Sequence, residues 1–434
     1  MNIKKLFSYF NHPNTLLVIS SYPDPKTGIE GLDAVAWHSQ KTLHSLAAKN
    51  KRIVVFSEIS SQKKPYLDSK NILVCPLWQK GKPLSFFKAL LQVFKFPQAK
   101  TILFQFEFNI FGGILPVLII PLFLLLFRLS GKKIIFEIHQ VIINISTLST
   151  HLHLKNRLIE KILNLGLLSF YQAVGFLSQH IVTLEQELKT RLSTLVSADK
   201  ISFIPISTQI KNKLPQNQAK QKLGFKSDDF VVISFGFINW YKGSDWLVKA
   251  FSQIKDKNIK LIMAGGPSPT LKDKTYYQKY FSQFKKTVNS NKNISLTGFI
   301  HDDQVKLYFS AADLVVLPYR IFMSSSGPLS LAFSYSLPFL LSTPLAKNYI
   351  NSPDFYLSLK KAGLNLSDIS FPLNSSAFNS KIKVAKKNLK VLAFLSKLIK
   401  KQRSQANTSQ KYLNLINSSK INHAYFAAPN YQAS

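Results

Sequence analysis

The sequence predicts an α/β protein of two domains, each built on a parallel sheet with helices against it. Three observations lead there. The chain has 434 residues, too many for one ordinary core and enough for two. Short apolar runs alternate with helix-period segments through both halves, the rhythm of strand–helix–strand units. Between the halves, residues 207–229 are polar, carry Pro215 and read as a linker.

The first domain, residues 1–206, opens with a buried-type strand at Leu16–Ile19. A turn-rich loop runs from Tyr22 to Gly31, and a helix pattern follows from Leu32 to Lys49. Further strands are expected at Ile53–Phe56, Ile72–Val74, Ile102–Phe106 and Ile134–Ile138. Ile110 to Phe127 is an apolar stretch of 18 residues without a charge, nominally long enough to span a bilayer. Gly112, Gly113, Pro116 and Pro121 interrupt it and strands flank it, so it is read as a buried or membrane-touching helix inside the domain. A helix around Arg157–Tyr171, a strand at Ile181–Leu184, a charged helix from Glu185 and a closing strand at Ile201–Pro205 complete this half.

The second domain, residues 230–378, repeats the pattern with strands at Phe230–Phe235, Ile259–Met263, Ile294–Leu296, Leu314–Leu317 and Phe339–Leu341. Residues 379–434 form a basic helix and a tail. From Lys381 to Arg403 lysines alternate with Leu389, Leu392, Leu395 and Leu398, which suits either an anionic bilayer or a terminal helix packed on the fold. Beyond Asn407 the polar composition predicts partial disorder.

Fifty-six Lys and Arg oppose 21 Asp and Glu, a formal charge of +35. That excess suits phosphorylated small molecules, a membrane surface or nucleic acid, unless it is a compositional bias of the source. Zinc-ligand spacing, an RNA-binding aromatic signature and a compact arginine cluster are missing, which places nucleic acid last. The single cysteine, Cys75, sits in the strand-like run Ile72–Leu77 and reads as a small core residue of a protein in a reducing cytoplasm. The apolar run after Met1–Lys5 stops at Asn11-His12-Pro13, too short for a signal peptide.

The most informative segment is Phe235-Gly236-Phe237-Ile238-Asn239-Trp240-Tyr241-Lys242-Gly243-Ser244. A strand feeds a glycine turn, the turn carries a lysine, and a helix pattern begins at once. Helix-terminal N–H groups and a cation at such a point attract phosphate. A tight turn with no ligand is the plainer alternative.

With its downstream blocks this segment resembles a family. Leu261-Ile262-Met263-Ala264-Gly265, Leu296-Thr297-Gly298-Phe299-Ile300 and Ala311-Ala312-Asp313 through Leu317-Pro318-Tyr319 follow in order, then Ser326-Gly327 and Pro338-Phe339. Together they are similar to the donor-binding half of the GT-B glycosyltransferases of family 4 (group 1). The resemblance implies two Rossmann-like domains facing a cleft (GT-B), followed here by the C-terminal helix. It implies a nucleotide-diphosphate sugar as donor substrate, a glycan or lipid-linked acceptor of the cell envelope, transfer with retention, and neither metal nor other cofactor. Without a metal, protein cations and helix N-termini must stabilise the leaving diphosphate.

Lys242 matches the family's phosphate-binding lysine, and Gly236 with Asn239 belongs to the same loop. Ser326 and Gly327 would offer a hydroxyl and N–H groups to the diphosphate, the alternative for Ser326 being a plain helix cap. Gly265, Phe299 and Ile300 would frame the base. Gly28 and Gly31 stand where the family's glycine-rich loop approaches the donor, or form a simple turn. His139, ending its strand, matches a histidine that contacts the transferred sugar, with a purely structural role as the alternative. Glu107 is a weaker acceptor-side candidate.

Four departures stand out. Phe237 replaces an arginine common after the first glycine. Met323 and Leu331 occupy the positions of the family's paired glutamates, and Ser336 replaces a turn glycine. Arg320 is therefore expected to supply a second cation at the phosphates. The expected protein is cytoplasmic and peripheral on the inner face of the membrane. A scaffold that has lost catalysis, and a basic surface-binding protein, are the alternatives these departures and the charge leave open.

Overall fold

A computed structural model describes residues 3–26, 34–108, 110–112, 114–145 and 156–418. The chain divides into two compact units. One comprises Met1–Ser207, Met323–Ser325 and Gln405–Ser434; the other comprises Thr208–Phe322 and Ser326–Ser404.

The first unit is built on eight strands: β1 (Thr15–Ile19), β2 (Arg52–Glu58), β3 (Tyr66–Ser69), β4 (Ile72–Trp78), β5 (Thr101–Phe106), β6 (Lys133–Ile138), β7 (His180–Thr183) and β8 (Ile201–Phe203). Their order is β3-β4-β2-β1-β5-β6-β7-β8, and every pairing except β3–β4 is parallel. Central β1 sets Leu17 opposite Val54 on one side and Ile102 on the other. Its five residues are all buried, as a strand covered on both faces requires. Cys75 lies in β4, and burial pushes its thiol up to about 12, which leaves it an inert core residue. The short antiparallel β3 went unforeseen because its Tyr-Leu-Asp-Ser sequence has no apolar run.

The stretch expected as one helix from Ile110 begins four residues later. Gly112 turns with φ +76°, and a Cβ there would stand 2.3 Å from the Gly81 nitrogen, so backbone meets backbone where helix was expected. The helix itself runs Ile114–Leu129 with Pro121 inside it. Among the described residues no helix is long and apolar enough to cross a membrane.

The segment beyond Asn407, expected to be partly disordered, carries a helix over Gln405–Asn417. Its Tyr412 and Leu415 are 1% and 2% exposed and join Leu43, Leu46 and Ile204 in the core of the first unit. Lys133 Nζ caps its last turn, donating to the carbonyls of Leu415 (2.5 Å) and Ile416 (3.4 Å), the end where the helix dipole favours a cation. Apolar anchors buried at Tyr412 and Leu415 outweigh the polar composition around them. Residues 419–434 lie outside the described part.

The second unit holds β9 (Phe230–Phe235), β10 (Ile259–Ala264), β11 (Ile294–Leu296), β12 (Leu314–Leu317), β13 (Phe339–Ser342) and β14 (Ser370–Phe371). All pairings are parallel, in the order β11-β10-β9-β12-β13-β14. The 207–229 segment is packed rather than free. It contains a helix over Gln216–Lys222, with Ala219 buried and Lys220 Nζ 2.9 Å from Asp313 and 2.7 Å from the Asp229 carbonyl. The basic helix is two helices, Ser375–Lys387 and Leu389–Gln402, broken at Asn388. Leu392, Leu395 and Ile399 are buried in the unit, and Lys400 Nζ donates to the Ser334 carbonyl at 2.6 Å. With that stripe in the core, the terminal-packing reading holds and the bilayer reading of this helix does not.

His180 opens β7 in the first unit. Burial, with the charges of Lys133 and Lys200, pulls its imidazole down to about 4. The unfolded chain then takes up a proton near pH 6.5 that the folded chain refuses, so stability falls as pH drops from 7 to 5, by about 1–2 kcal/mol. Urea titrations at the two pH values should give a smaller difference for His180→Asn; an equal difference would assign the effect elsewhere.

Candidate functional site

The second unit builds its site from strand ends. β9 runs into Gly236, which has φ +116°, a conformation reserved for glycine. The loop then lies against the end of β10: Gly236 N–H donates to Ala264 O and Ile238 N–H to Gly266 O, both at 2.9 Å. A Cβ on Gly265 would stand 2.1 Å from Gly236 O, so Gly265 has no room for a side chain unless the Gly236 backbone moves. Gly243, in the left-handed region at φ +70°, starts the helix Ser244–Phe251, and a Cβ there would meet Pro318 O at 2.0 Å. Asn239, 7% exposed, donates its N–H to Ser244 Oγ at 3.2 Å.

Lys242 sits in this frame. A Cβ on Gly236 would meet Lys242 Nζ at 3.0 Å and Pro328 Cγ at 3.5 Å, so ammonium, loop backbone and the first turn of helix Gly327–Ser334 converge there. Among the described residues no carboxylate pairs with Lys242, and burial pulls its ammonium down to about 8. A cation and a helix N-terminus facing one spot, with no negative charge between them, leave room for an anion.

Ser326 is the cap of that helix. Its Oγ accepts the Leu329 N–H at 3.3 Å and lies 3.4 Å from Tyr319 OH. The capping role is thus the one the hydroxyl visibly fills. Gly327 has open space where a side chain would be. Phe299 is half-exposed, with its ring parallel to Phe237 (6.2 Å, 16°), while Ile300 is buried. The residue that departs from the family's arginine therefore extends a flat aromatic surface.

Arg320 does not offer the loose second cation expected of it. Its guanidinium forks onto Asp245 (2.7 and 2.8 Å), donates to the Trp240 carbonyl (2.6 Å) and lies over the Trp240 ring at 4.9 Å. Burial pushes the Asp245 carboxyl up, but Arg320's hydrogen bonds and charge outweigh it and hold the group below its ordinary value. Arg320 is a brace that pins the lysine loop to the segment after β12.

In the first unit, β6 carries Glu137, wholly buried. Its Oε1 accepts from His38 Nε2 (3.0 Å), His139 Nε2 (2.8 Å) and Gln105 Nε2 (2.9 Å), and its Oε2 from Tyr412 OH (2.7 Å). Burial alone would raise the carboxyl; the His38 charge and the imidazole hydrogen bonds more than reverse it, and the group is held far below the carboxylate range. For His139 burial dominates and lowers its pKa. Neutral His139 then carries its proton on Nε2, bonded to Glu137, and keeps Nδ1 as an acceptor. Ligand atoms of His38, Glu137 and His139 lie within 4.8 Å of one another, a spacing one metal ion could bridge. The four hydrogen bonds on Glu137 already account for that arrangement. Glu107 follows β5, half-buried, its carbonyl accepting Ile110 N–H. Gly28 and Gly31 lie outside the described residues.

Residues 215–332 match the family model "Glycosyl transferases group 1". This segment is a group 1 glycosyl transferase domain. The matched lipopolysaccharide 1,2-N-acetylglucosaminetransferase of Salmonella typhimurium is 28% identical over 146 residues, 32% of this chain and 38% of that relative. The match thus spans well under half the relative's length. Among solved structures, sucrose-phosphate synthase of Thermosynechococcus elongatus superposes with TM-score 0.69 at 14% identity, covering 93% of this chain and 98% of its own. WaaG, a glycosyltransferase involved in lipopolysaccharide biosynthesis, gives 0.62 at 13%, covering 93% and 100%. Anabaena HepE, in complex with UDP and glucose, gives 0.64 at 12%, covering 93% and 99%. The fold is therefore GT-B, and the matched segment, apart from residues 323–325, belongs to its second unit.

Within the transferase domain the structure gathers Gly236, Lys242, Gly265 and the start of helix Gly327–Ser334, and sets Phe299 beside Phe237. Sequence reasoning missed Asp245, Glu137, His38, Gln105 and Tyr412. A glutamate inside the run Ile134-Ile135-Phe136-Glu137-Ile138 was the one available signal, since a buried carboxylate demands partners.

Replacing Gly265 by Ala should destabilise the second unit by about 1–3 kcal/mol, because the methyl and Gly236 O cannot share the space. A denaturation midpoint unchanged from wild type would contradict the close approach. Tyr412→Phe, which strips a hydrogen bond from a buried carboxylate, should cost about 1.5–3 kcal/mol in urea unfolding; a loss below 0.5 kcal/mol would mean that Glu137 does not depend on it.

Proposed function

We propose that the protein transfers a sugar from a nucleotide-diphosphate donor to a glycan or lipid-linked acceptor of the cell envelope. The second unit takes the donor. Lys242 and the N–H groups at Gly327 hold the diphosphate, and Asn239 and Gly236 shape the loop around it. The base lies against the Phe299–Phe237 surface near Gly265 and Ile300. The first unit takes the acceptor, with Glu107 as its acceptor-side residue; His139 Nδ1 accepts a hydroxyl of the transferred sugar, and Gly28 and Gly31 belong to the loop that approaches the donor diphosphate. Transfer proceeds with retention and without a metal, the departing diphosphate being stabilised by Lys242 and the helix N-terminus. The protein works on the cytoplasmic face of the membrane as a peripheral enzyme.

The observation that carries this reading is Lys242, a desolvated ammonium that pairs with no carboxylate among the described residues, at a glycine-lined strand end. The group 1 match over residues 215–332 supports it, as do the relatives whose names include sugar transfer. Phe237, Met323 and Leu331, where the family has charged residues, favour a second reading in which donor binding survives and transfer is lost.

Lys242→Ala should weaken nucleotide-diphosphate binding by about 1.5–3 kcal/mol, roughly 10–150-fold in Kd by calorimetry. An unchanged affinity removes Lys242 from the site. With a panel of nucleotide sugars and membrane lipid extract, release of nucleoside diphosphate supports transfer. Saturable binding without release across the panel supports the scaffold.

A further inference from the structure

The first unit carries an apolar face turned to solvent. Helix Ile114–Leu129 buries Ile120, Phe123, Leu124 and Phe127 and leaves Leu115, Leu118, Leu122 and Leu129 exposed by 58, 63, 52 and 74%. Their spacing places them on one side of the helix. Helix Arg157–Leu177 repeats the arrangement with Leu158, Ile162 and Leu165 exposed. The two helices are joined: Arg128 donates to the Phe176 carbonyl and lies over the Phe176 ring at 5.2 Å. A third element, helix Pro83–Leu91, leans on the first through Phe87 against Phe123 at 5.0 Å. Single exposed leucines need no explanation; rows of them on adjoining helices mark an interaction surface.

Charge selects the occupant. From Lys82 to Leu177 the chain has ten Lys and Arg against three Glu, and one of those, Glu137, is buried. Lys88, Lys95, Arg157 and Lys161 stand exposed on the same three elements and the turn beside them. A second copy of the chain would bring another +35 against this face, so self-association is opposed. An anionic bilayer satisfies both features, taking leucines below its headgroups and cations among them. No described helix is long and apolar enough to cross, so on a bilayer these helices would lie in the surface.

We propose that this three-helix face of the first unit seats the protein on an anionic bilayer. The inference rests on the peripheral placement proposed above and is independent of the transfer reaction. It differs from the bilayer reading of the basic C-terminal helix, whose apolar stripe is buried.

The test is sedimentation of the full chain with phosphatidylcholine vesicles, with and without phosphatidylglycerol. Wild type should bind the anionic vesicles, less so in high salt. The double variant Leu118→Asp with Leu122→Asp should bind at least about tenfold more weakly with an unchanged melting temperature, because both positions face solvent. Should that variant misfold, Lys88→Glu with Lys161→Glu replaces it and should likewise lose the preference for anionic lipid. Equal binding by wild type and the folded variant overturns the proposal, as does indifference of wild type to anionic lipid. A lipid-free dimer abolished by the leucine substitutions would assign the face to a second copy instead. None of these outcomes depends on turnover, so the transfer reading stands or falls separately.

Discussion

Backbone touching backbone at the strand ends is the constraint on which the geometry around Lys242 depends. Gly265 against the Gly236 carbonyl and Gly243 against the Pro318 carbonyl are contacts with no room for a methyl group. They bring three segments, 236–243, 264–266 and 318–328, close enough that one lysine side chain can lie on the backbone of the first and reach the helix that begins in the last. The Arg320–Asp245 fork then holds that loop in place. With Asp245 committed to Arg320, no carboxylate among the described residues pairs with Lys242. Desolvation of that ammonium pulls its pKa down to about 8.

The first unit solves the opposite problem. Glu137 is a negative charge with no exposure, and its four donors come from a helix, two strand segments and the chain's last described helix. Removing one donor leaves the charge short of a partner, which costs more than a pair so formed adds. His139 is fixed in ring orientation and tautomer by the same carboxylate.

Most of the sheet was legible because its strands are continuous apolar runs bounded by glycine, proline or charge. β1 and β9 are clear cases. β3 and β14 were not, being short edge strands whose pairing, and not their composition, makes them strands. The glycines and Lys242 could be read because their chemistry is local: a strand, a turn and a helix start within a dozen residues. The pairing of Arg320 was hidden for the complementary reason. Its partner Asp245 lies 75 residues earlier, and nothing local announces that the fork is already filled. Tyr412 lies 275 residues from Glu137, in a tail whose polar composition concealed two anchors.

The return of the chain to its starting unit has a consequence for how the molecule is made. Leu43 and Leu46 emerge early in synthesis, yet the helix that covers them and supplies Tyr412 to Glu137 is not complete until residue 417 has been added. During that interval the second unit has its whole sheet available, while the first waits with an exposed apolar groove and an incompletely satisfied carboxylate. The half of the protein that is translated first is thus the half that matures last. A fragment ending at residue 207 would remain in that immature state, with the hazards of aggregation that unpaired apolar surface brings.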